Sequence, residues 1–174
     1  HLGCGHPRDG LMSLSFAIGS DDLARLTRIL KQEADGKALR KELAANLRKA
    51  SEPARDAARS SIMEMSTAGL DHEGEPLREA ISRRIVTEAR LSGRSTGAKV
   101  KAKRKGMPRS FEHAAKRLNR ESFRHRVFGR DVWVQQTGKP RWSDDAMKAN
   151  RDKWRAAVIE AMNHTAARIA RKVH

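Results

Sequence analysis

The sequence predicts an α+β protein in which long amphipathic helices pack on one face of a small antiparallel sheet. Three observations carry the prediction: a helical stripe over Lys37–Met65, two strand-like runs around a Gly/Ser turn near residue 95, and a helical pattern that closes the chain. With 174 residues, 38% of them hydrophobic and 4% aromatic, one domain with a modest Leu, Ile, Val and Ala core is expected. We place this domain at residues 13–174, after a disordered or extended segment at 1–12.

The organising element is an amphipathic rod over Lys37–Met65. Its apolar positions recur at steps of three and four, as one face of an α-helix requires; they are Leu39, Leu43, Leu47, Ala50, Ala54, Ala57 and Ser61–Ile62. Charged residues fill the other face. We expect Leu43 and Leu47 to be buried against the sheet. Pro53 lacks a backbone donor and should kink the rod or split it in two.

Upstream of the rod, a short strand and a short helix are predicted. Ser13–Ile18 alternates apolar and small polar residues, which is typical of a strand. Ser20–Asp22 supplies N-cap candidates and acidic first-turn residues. The helix that follows has one apolar face, formed by Leu23, Leu26, Ile29 and Leu30.

Downstream of the rod, the pattern predicts an antiparallel hairpin. Leu77–Leu91 and Ala98–Ala102 alternate apolar with polar residues on either side of Ser92–Gly97, which has turn composition. The inner face of the second run consists of small, weakly apolar residues. Because such a hairpin is only marginally stable alone, we expect residues 94–110 to protrude as a basic hairpin and loop.

Three further elements complete the chain. Apolar residues at i, i+3, i+4 and i+7 predict a short helix from Phe111 to Leu118. Phe123–Gln136 has the composition of a second hairpin, and a helix capped at Ser143 should run to about Val173. The two tryptophans in this part, Trp133 and Trp142, are expected to pack in the sheet and helix rather than stack on bases.

Charge is the most informative property of the sequence. The net charge is +16, and residues 94–130 hold thirteen Lys or Arg and only two acids. Such a surface binds phosphates, or it meets acidic neighbours in an assembly; both interpretations stay open. The candidate contact residues are Lys99, Lys101, Lys103, Arg104, Lys105 and Arg109.

The sequence shows no constellation typical of an enzyme. The seven His are scattered, no glycine loop has P-loop context, and no carboxylates are paired at helix or strand spacing. Cys4 and His6 are two ligands at most, so no metal and no cofactor are expected. A single Cys, no long apolar run and no signal-peptide pattern favour a soluble intracellular protein or one assembled inside a cell.

Element order and local patterns together resemble the head–tail joining or tail-completion proteins of long-tailed bacteriophages, over roughly Ser13 to Val173. The residues that carry the resemblance are KALRKELAANLRKASEPARDAAR, PLREAISRRIV, VFGRDVWVQQTGKPRW and the closing Ala-rich helix. Val127–Trp133 matches a strand ending in Phe-Gly before an aromatic strand, and Gln135–Trp142 matches the Gln-rich strand end that precedes the last helix. Ser66–Leu70 departs from the family pattern because it lacks a Pro.

The resemblance implies a structural, non-enzymatic virion protein. Family members of this neck or tail-terminator type form a homo-oligomeric ring, commonly a hexamer, between the capsid connector and the tail tube, and leave a channel for DNA. The implied location is the virion, and the host cytoplasm during assembly. The alternative is a free-standing basic nucleic-acid-binding protein that uses residues 94–130.

Overall fold

A computed structural model describes residues 15–18, 21–65, 76–92, 96–107, 111–126 and 131–171. The elements in chain order are β1 (Ser15–Ile18), α1 (Asp21–Gln32), α2 (Gly36–Ala50), α3 (Glu52–Met63), α4 (Leu77–Arg84), β2 (Ile85–Arg90), β3 (Gly97–Ala102), α5 (Ala114–Leu118), β4 (Ser122–Arg126), β5 (Trp133–Thr137) and α6 (Trp142–Ala170). Helices pack on antiparallel sheet, so the predicted α+β class is confirmed. The predictions for residues 1–12, including Cys4 and His6, lie outside the described residues.

The rod is present as two helices, α2 and α3, which meet at Ser51. Pro53 occupies the first turn of α3, where an α-helix does not use the backbone N–H, so it starts a new helix at little cost. Most of the predicted apolar stripe is buried, but Ala50, Ala57 and Ser61 are half-buried, and Ala58 is buried in place of Ala57. Leu43 and Leu47 are fully buried, as predicted. They belong to a helix that packs against both β2 and α6.

The main sheet has three antiparallel strands in the order β1-β3-β2. Strand β3 is central: Val100 pairs with Phe16 of β1 on one side and with Thr87 of β2 on the other. The predicted hairpin is therefore confirmed for β2 and β3. Its first run is shorter than predicted, however, because Leu77–Arg84 is helix α4.

The strand prediction failed over α4 because its apolar spacing fits two periods. Leu77, Ile81 and Ile85 lie four residues apart. Residues at this spacing share one face of a helix, and they also share one face of a strand, where every second side chain points to the same side. Pro76 precedes the helix in an extended conformation, Glu79 lies in the first turn and Arg83 in the last. These features match the charge preferences of helix ends, and they favour the helix.

The prediction that residues 94–110 protrude is wrong for β3, whereas the turn at 103–107 that follows it is largely exposed. Ala98, Val100 and Ala102 are all buried in the core. Small side chains let the helices approach the sheet closely, and β1 covers the edge that the sequence left open. A pairing partner more than eighty residues earlier in the chain thus converts a marginal hairpin into the middle of the sheet.

The carboxyl-terminal half adds a long helix and a two-stranded ribbon to the same core. Helix α6 packs along α2 and α3 through a buried face, whose residues are Trp142, Met147, Trp154, Val158 and Thr165. The second predicted hairpin is confirmed as the two-stranded ribbon β4–β5. Phe123 of this ribbon, with Ala114 and Leu118 of α5, joins the same hydrophobic core as the rod and main sheet.

Candidate phosphate-binding surface

The predicted lysines on β3 lie on the face of the sheet opposite the core. Lys99 and Lys101 are half-buried, and the Lys101 Nζ lies 2.5 Å from a carboxylate oxygen of Glu88 on β2. The hydrogen bond from Lys101 is the main cause that lowers the pKa of the Glu88 carboxyl, with the charges of Lys101, Arg90 and Lys99 adding to it. This face is therefore partly neutralised within the chain.

The remaining predicted contact residues follow β3 into a turn. Lys103 and Lys105 are exposed, and Arg104 is half-buried. The turn is held by the Lys103 N–H, which donates to Arg84 O at 2.9 Å, and by the Arg84 guanidinium, which donates to Gly106 O. Arg109 lies outside the described residues. These candidates thus lie along a sheet strand and its exit rather than on a free arm.

A second basic surface is formed by α5 and the ribbon. Three arginines from these elements, Arg117, Arg120 and Arg124, line one open cleft of about 460 Å³ together with Ser122 and Gln135. Phe123 also lines this cleft. Sequence reasoning counted these arginines in the basic segment but did not single them out as a site.

The alternation of strand β4 explains how Arg124 faces outward. Phe123 is buried in the core, so its neighbours Ser122 and Arg124 point to the opposite face, where both are exposed. Across the ribbon, Arg124 pairs with Gln135 and Arg126 pairs with Trp133. The Gln135 amide donates to the Ser122 hydroxyl at 3.2 Å. The pattern Ser-Phe-Arg-His-Arg was the sequence signal that could have identified this face.

Backbone hydrogen bonds fix the ribbon to α5 and to the start of α6. The Gly138 N–H donates to Glu121 O, and the Lys139 N–H donates to Leu118 O, both at 2.9 Å. The Trp142 indole donates to Ala115 O at 3.3 Å. A side chain at Gly138 would overlap Arg120 O and lie 2.7 Å from Leu118 O. Close backbone contact at this glycine therefore sets the position of Arg120 relative to the ribbon.

The two tryptophans that were expected to pack behave differently. Trp142 is 2% exposed and packs in the core, as predicted. Trp133 is 57% exposed, next to Val132 at 52%, so the packing prediction is wrong for this residue. The Arg124 guanidinium carbon lies 6.0 Å from the centre of the Trp133 indole, at the outer range of a cation–π contact. An exposed aromatic side chain therefore adjoins the arginine cleft.

The cleft arginines are not neutralised by acidic groups in the described part of the chain. Arg55 pairs with Glu52 and Asp56, and Arg168 pairs with Glu42. By contrast, none of Arg117, Arg120 and Arg124 forms an ion pair with another described residue. Guanidinium groups suit the geometry of phosphate oxygens, so an anion of this kind fits these side chains.

Comparison of the chain with protein-family models, curated proteins and solved structures gives no match. Among the described residues, no group of three or more His, Cys, Asp or Glu side chains is placed to hold a metal ion. None of the described helices combines the length and the apolar character needed to cross a bilayer.

Proposed function

We propose that this chain is a structural subunit of a homo-oligomeric ring, commonly a hexamer, at the head–tail junction of a long-tailed bacteriophage. In this role it joins the capsid connector to the tail tube and leaves a channel for DNA. The order of helical rod, antiparallel sheet, ribbon and closing helix supports the proposal through the family resemblance. The observation that carries it is the exposure of large apolar side chains on the outer faces of two packed helices.

These exposed apolar residues lie on α1 and α6. Ile29 of α1 is 43% exposed and Ile159 of α6 is 46% exposed, although the opposite faces of both helices are buried in the core. Large apolar side chains at an interface supply binding energy when a second subunit covers them. The two helices thus offer contact positions from different parts of the chain.

The edges of the main sheet offer a second means of contact. Among the described strands, β1 and β2 each pair with a neighbour on one side only. Unpaired strand edges accept a strand or extended segment from another chain through backbone hydrogen bonds. When one surface of each subunit binds a different surface of the next subunit, the subunits assemble into a closed ring or an open filament.

Closure of a ring needs the same angle at every contact, and the subunit body is built to keep that angle. Helix α6 packs along α2 and α3, and the Trp154 indole is hydrogen-bonded to the Ser51 hydroxyl at the junction of those two helices. Close packing of this kind resists deformation within the subunit. The proposed action is mechanical: the ring joins two assemblies, with no catalytic step.

The test is the mass and shape of the full-length protein. Light scattering should give several times the 19.5 kDa of one chain, and negative-stain images should show rings. Ile159→Glu should lower the mass towards one chain. Ala149→Glu is the matched control, because Ala149 is also exposed on α6 but lies about 15 Å earlier along the helix.

Two results would contradict the proposal. One is a monomer at all concentrations that also fails to co-purify with phage particles. The other is equal loss of assembly in both α6 variants, since a general charge effect would then explain it. A protein that instead co-purifies with DNA and dissociates with salt would favour the free-standing nucleic-acid-binding alternative.

A further inference from the structure

We propose that the surface formed by α5, β4 and β5 binds single-stranded nucleic acid, with phosphates in the arginine cleft and an unpaired base on Trp133. This inference goes beyond the ring and does not depend on it. It rests on three features of one surface: guanidinium groups that form no ion pair with a described residue, an exposed indole beside them, and a backbone arrangement that holds both in place.

The arginine cleft supplies the phosphate contacts. Arg117 and Arg120 come from α5 and the residues after it, and Arg124 comes from β4, yet all three line the same cleft. No described acidic residue pairs with them. The hydroxyl of Ser122 and the amide of Gln135 add neutral hydrogen-bonding groups. Successive phosphates of one strand are the anions that several separated guanidinium groups fit.

The indole of Trp133 supplies the base contact. It is more than half exposed, at a position where the cross-strand register places Arg126 opposite and Arg124 near its ring. Nucleobases stack on such aromatic side chains, and arginine beside the ring strengthens the contact. In a duplex the bases are already paired and stacked. An exposed indole next to phosphate-binding groups therefore favours a single strand.

An acidic protein partner that buries the indole is the competing occupant of this surface, and the experiments below distinguish it from a nucleic acid. The fixed geometry favours the nucleic acid. Gly138 and Lys139 tie the ribbon to α5, and Phe123 anchors the ribbon in the core, so the cleft exists without a partner. Binding a flexible strand to a preorganised surface avoids the cost of ordering the protein.

The first experiment tests the indole in the full chain, with a labelled oligothymidylate of about 12 nucleotides. Trp133→Leu should weaken binding roughly 5- to 150-fold, whereas Trp133→Phe, which keeps an aromatic face, should retain most of the affinity. Binding should also quench tryptophan fluorescence, because Trp142 and Trp154 are buried and only Trp133 is open to a base. Equal affinity for wild type and Trp133→Leu would overturn the proposal.

The second experiment tests the cleft by changing Arg117, Arg120 and Arg124 together to Gln. The control changes three exposed arginines elsewhere, Arg48, Arg151 and Arg155, to Gln, so that both variants lose the same charge. The cleft variant should lose affinity and its salt slope should fall by roughly 0.7 for each lost phosphate contact. Equal losses in the two variants would show that net charge alone drives binding, and would overturn the site.

A third comparison separates this inference from the ring. Ile159→Glu, which should disrupt assembly, lies outside the cleft and should leave oligonucleotide affinity per subunit within a factor of about three. Duplex DNA of the same length should bind more weakly and without fluorescence quenching. Tighter binding to duplex DNA than to the oligonucleotide would assign the arginines to duplex DNA and overturn the proposal. If the protein bound no oligonucleotide and the cleft variant failed to assemble, the arginines would be assigned to a protein partner, and the proposal would again be overturned.

Discussion

The indole N–H of Trp154 in α6 donates a 2.9 Å hydrogen bond to the hydroxyl of Ser51, which is fully buried. The same hydroxyl donates to Leu47 O at 2.8 Å, one turn earlier in α2. Ser51 lies at the junction of α2 and α3. Its side chain therefore bonds to the last turn of α2 and also links α6 to the point where the rod divides. Side-chain bonds to the preceding turn favour such bends.

Ser51→Ala should therefore destabilise the protein by about 1–3 kcal/mol, because the buried Trp154 N–H would lose its acceptor. The measurement is the free energy of unfolding in urea. Trp154→Phe removes the donor, and Ser51→Ala in that background should cost less than it does in wild type. Equal costs in the two backgrounds would show that the hydrogen bond contributes nothing.

Leu43→Ala and Leu47→Ala should each lower the free energy of unfolding by about 2–5 kcal/mol, since both side chains are fully buried between α6 and the sheet. Arg48→Glu is the matched control on the exposed face of α2 and should change stability by less than about 0.5 kcal/mol. Unchanged melting temperatures for both leucine variants would remove this helix from the core.

Gly138→Ala should loosen the ribbon without unfolding the rod. The added methyl group would overlap Arg120 O, and only movement of the backbone between α5 and β4 relieves that overlap. Hydrogen exchange should rise at the amides of Gly138 and Lys139, which bond to Glu121 and Leu118, and stay unchanged in α2 and α3. A variant with wild-type exchange in the ribbon would show that the backbone accommodates the methyl group freely.

The Glu88–Lys101 pair predicts a pH dependence. Because Lys101 lowers the pKa of the Glu88 carboxyl in the folded protein, the pair stabilises the fold above the unfolded pKa of about 4.3. This contribution is lost as pH falls through the folded pKa. Lys101→Gln should cost up to about 1 kcal/mol at pH 7, and the difference from wild type should vanish in strong acid.

The control for this pair is Lys105→Gln, because Lys105 is exposed and has no ion-pair partner among the described residues. It should leave the acid limb of the stability curve unchanged. Should Lys101→Gln and wild type differ equally at pH 7 and in strong acid, the effect would come from packing of the lysine stem instead of its charge.

The rod and the closing helix were predictable because periodicity alone specifies them. Leu39, Leu43 and Leu47 admit only one buried face, and Pro53 marks where the rod divides. Leu77–Arg84 was not predictable in the same way, since apolar residues four apart satisfy helix and strand alike. A sequence pattern distinguishes the 3.6-residue period of a helix from the two-residue period of a strand only when the segment has enough apolar residues to exclude one of the two periods.

The candidate surface was only partly predictable, for a different reason. The basic segment was identified from charge, but which charges are free depends on partners that the fold supplies. Lys101 meets Glu88 across the sheet, whereas Arg120 and Arg124 meet no described carboxylate. Likewise, Trp142 and Trp133 are indistinguishable by residue type, and only the packing of the ribbon exposes one of them. Tertiary contacts, which the sequence does not state, make these distinctions.

The strand order β1-β3-β2 has a consequence for biosynthesis. Strands β2 and β3 are neighbours in the chain and can pair as soon as both have left the ribosome. Strand β1 is synthesised first but cannot pair until β3 is made, because Ser15 pairs with Lys101, more than eighty residues later. Until then β1 has no partner in its own chain, and after β3 appears, its free edge accepts whichever copy of β1 reaches it first. On a polysome, where nascent copies are crowded, this late closure makes exchange of β1 between neighbouring chains a competing route to the native sheet.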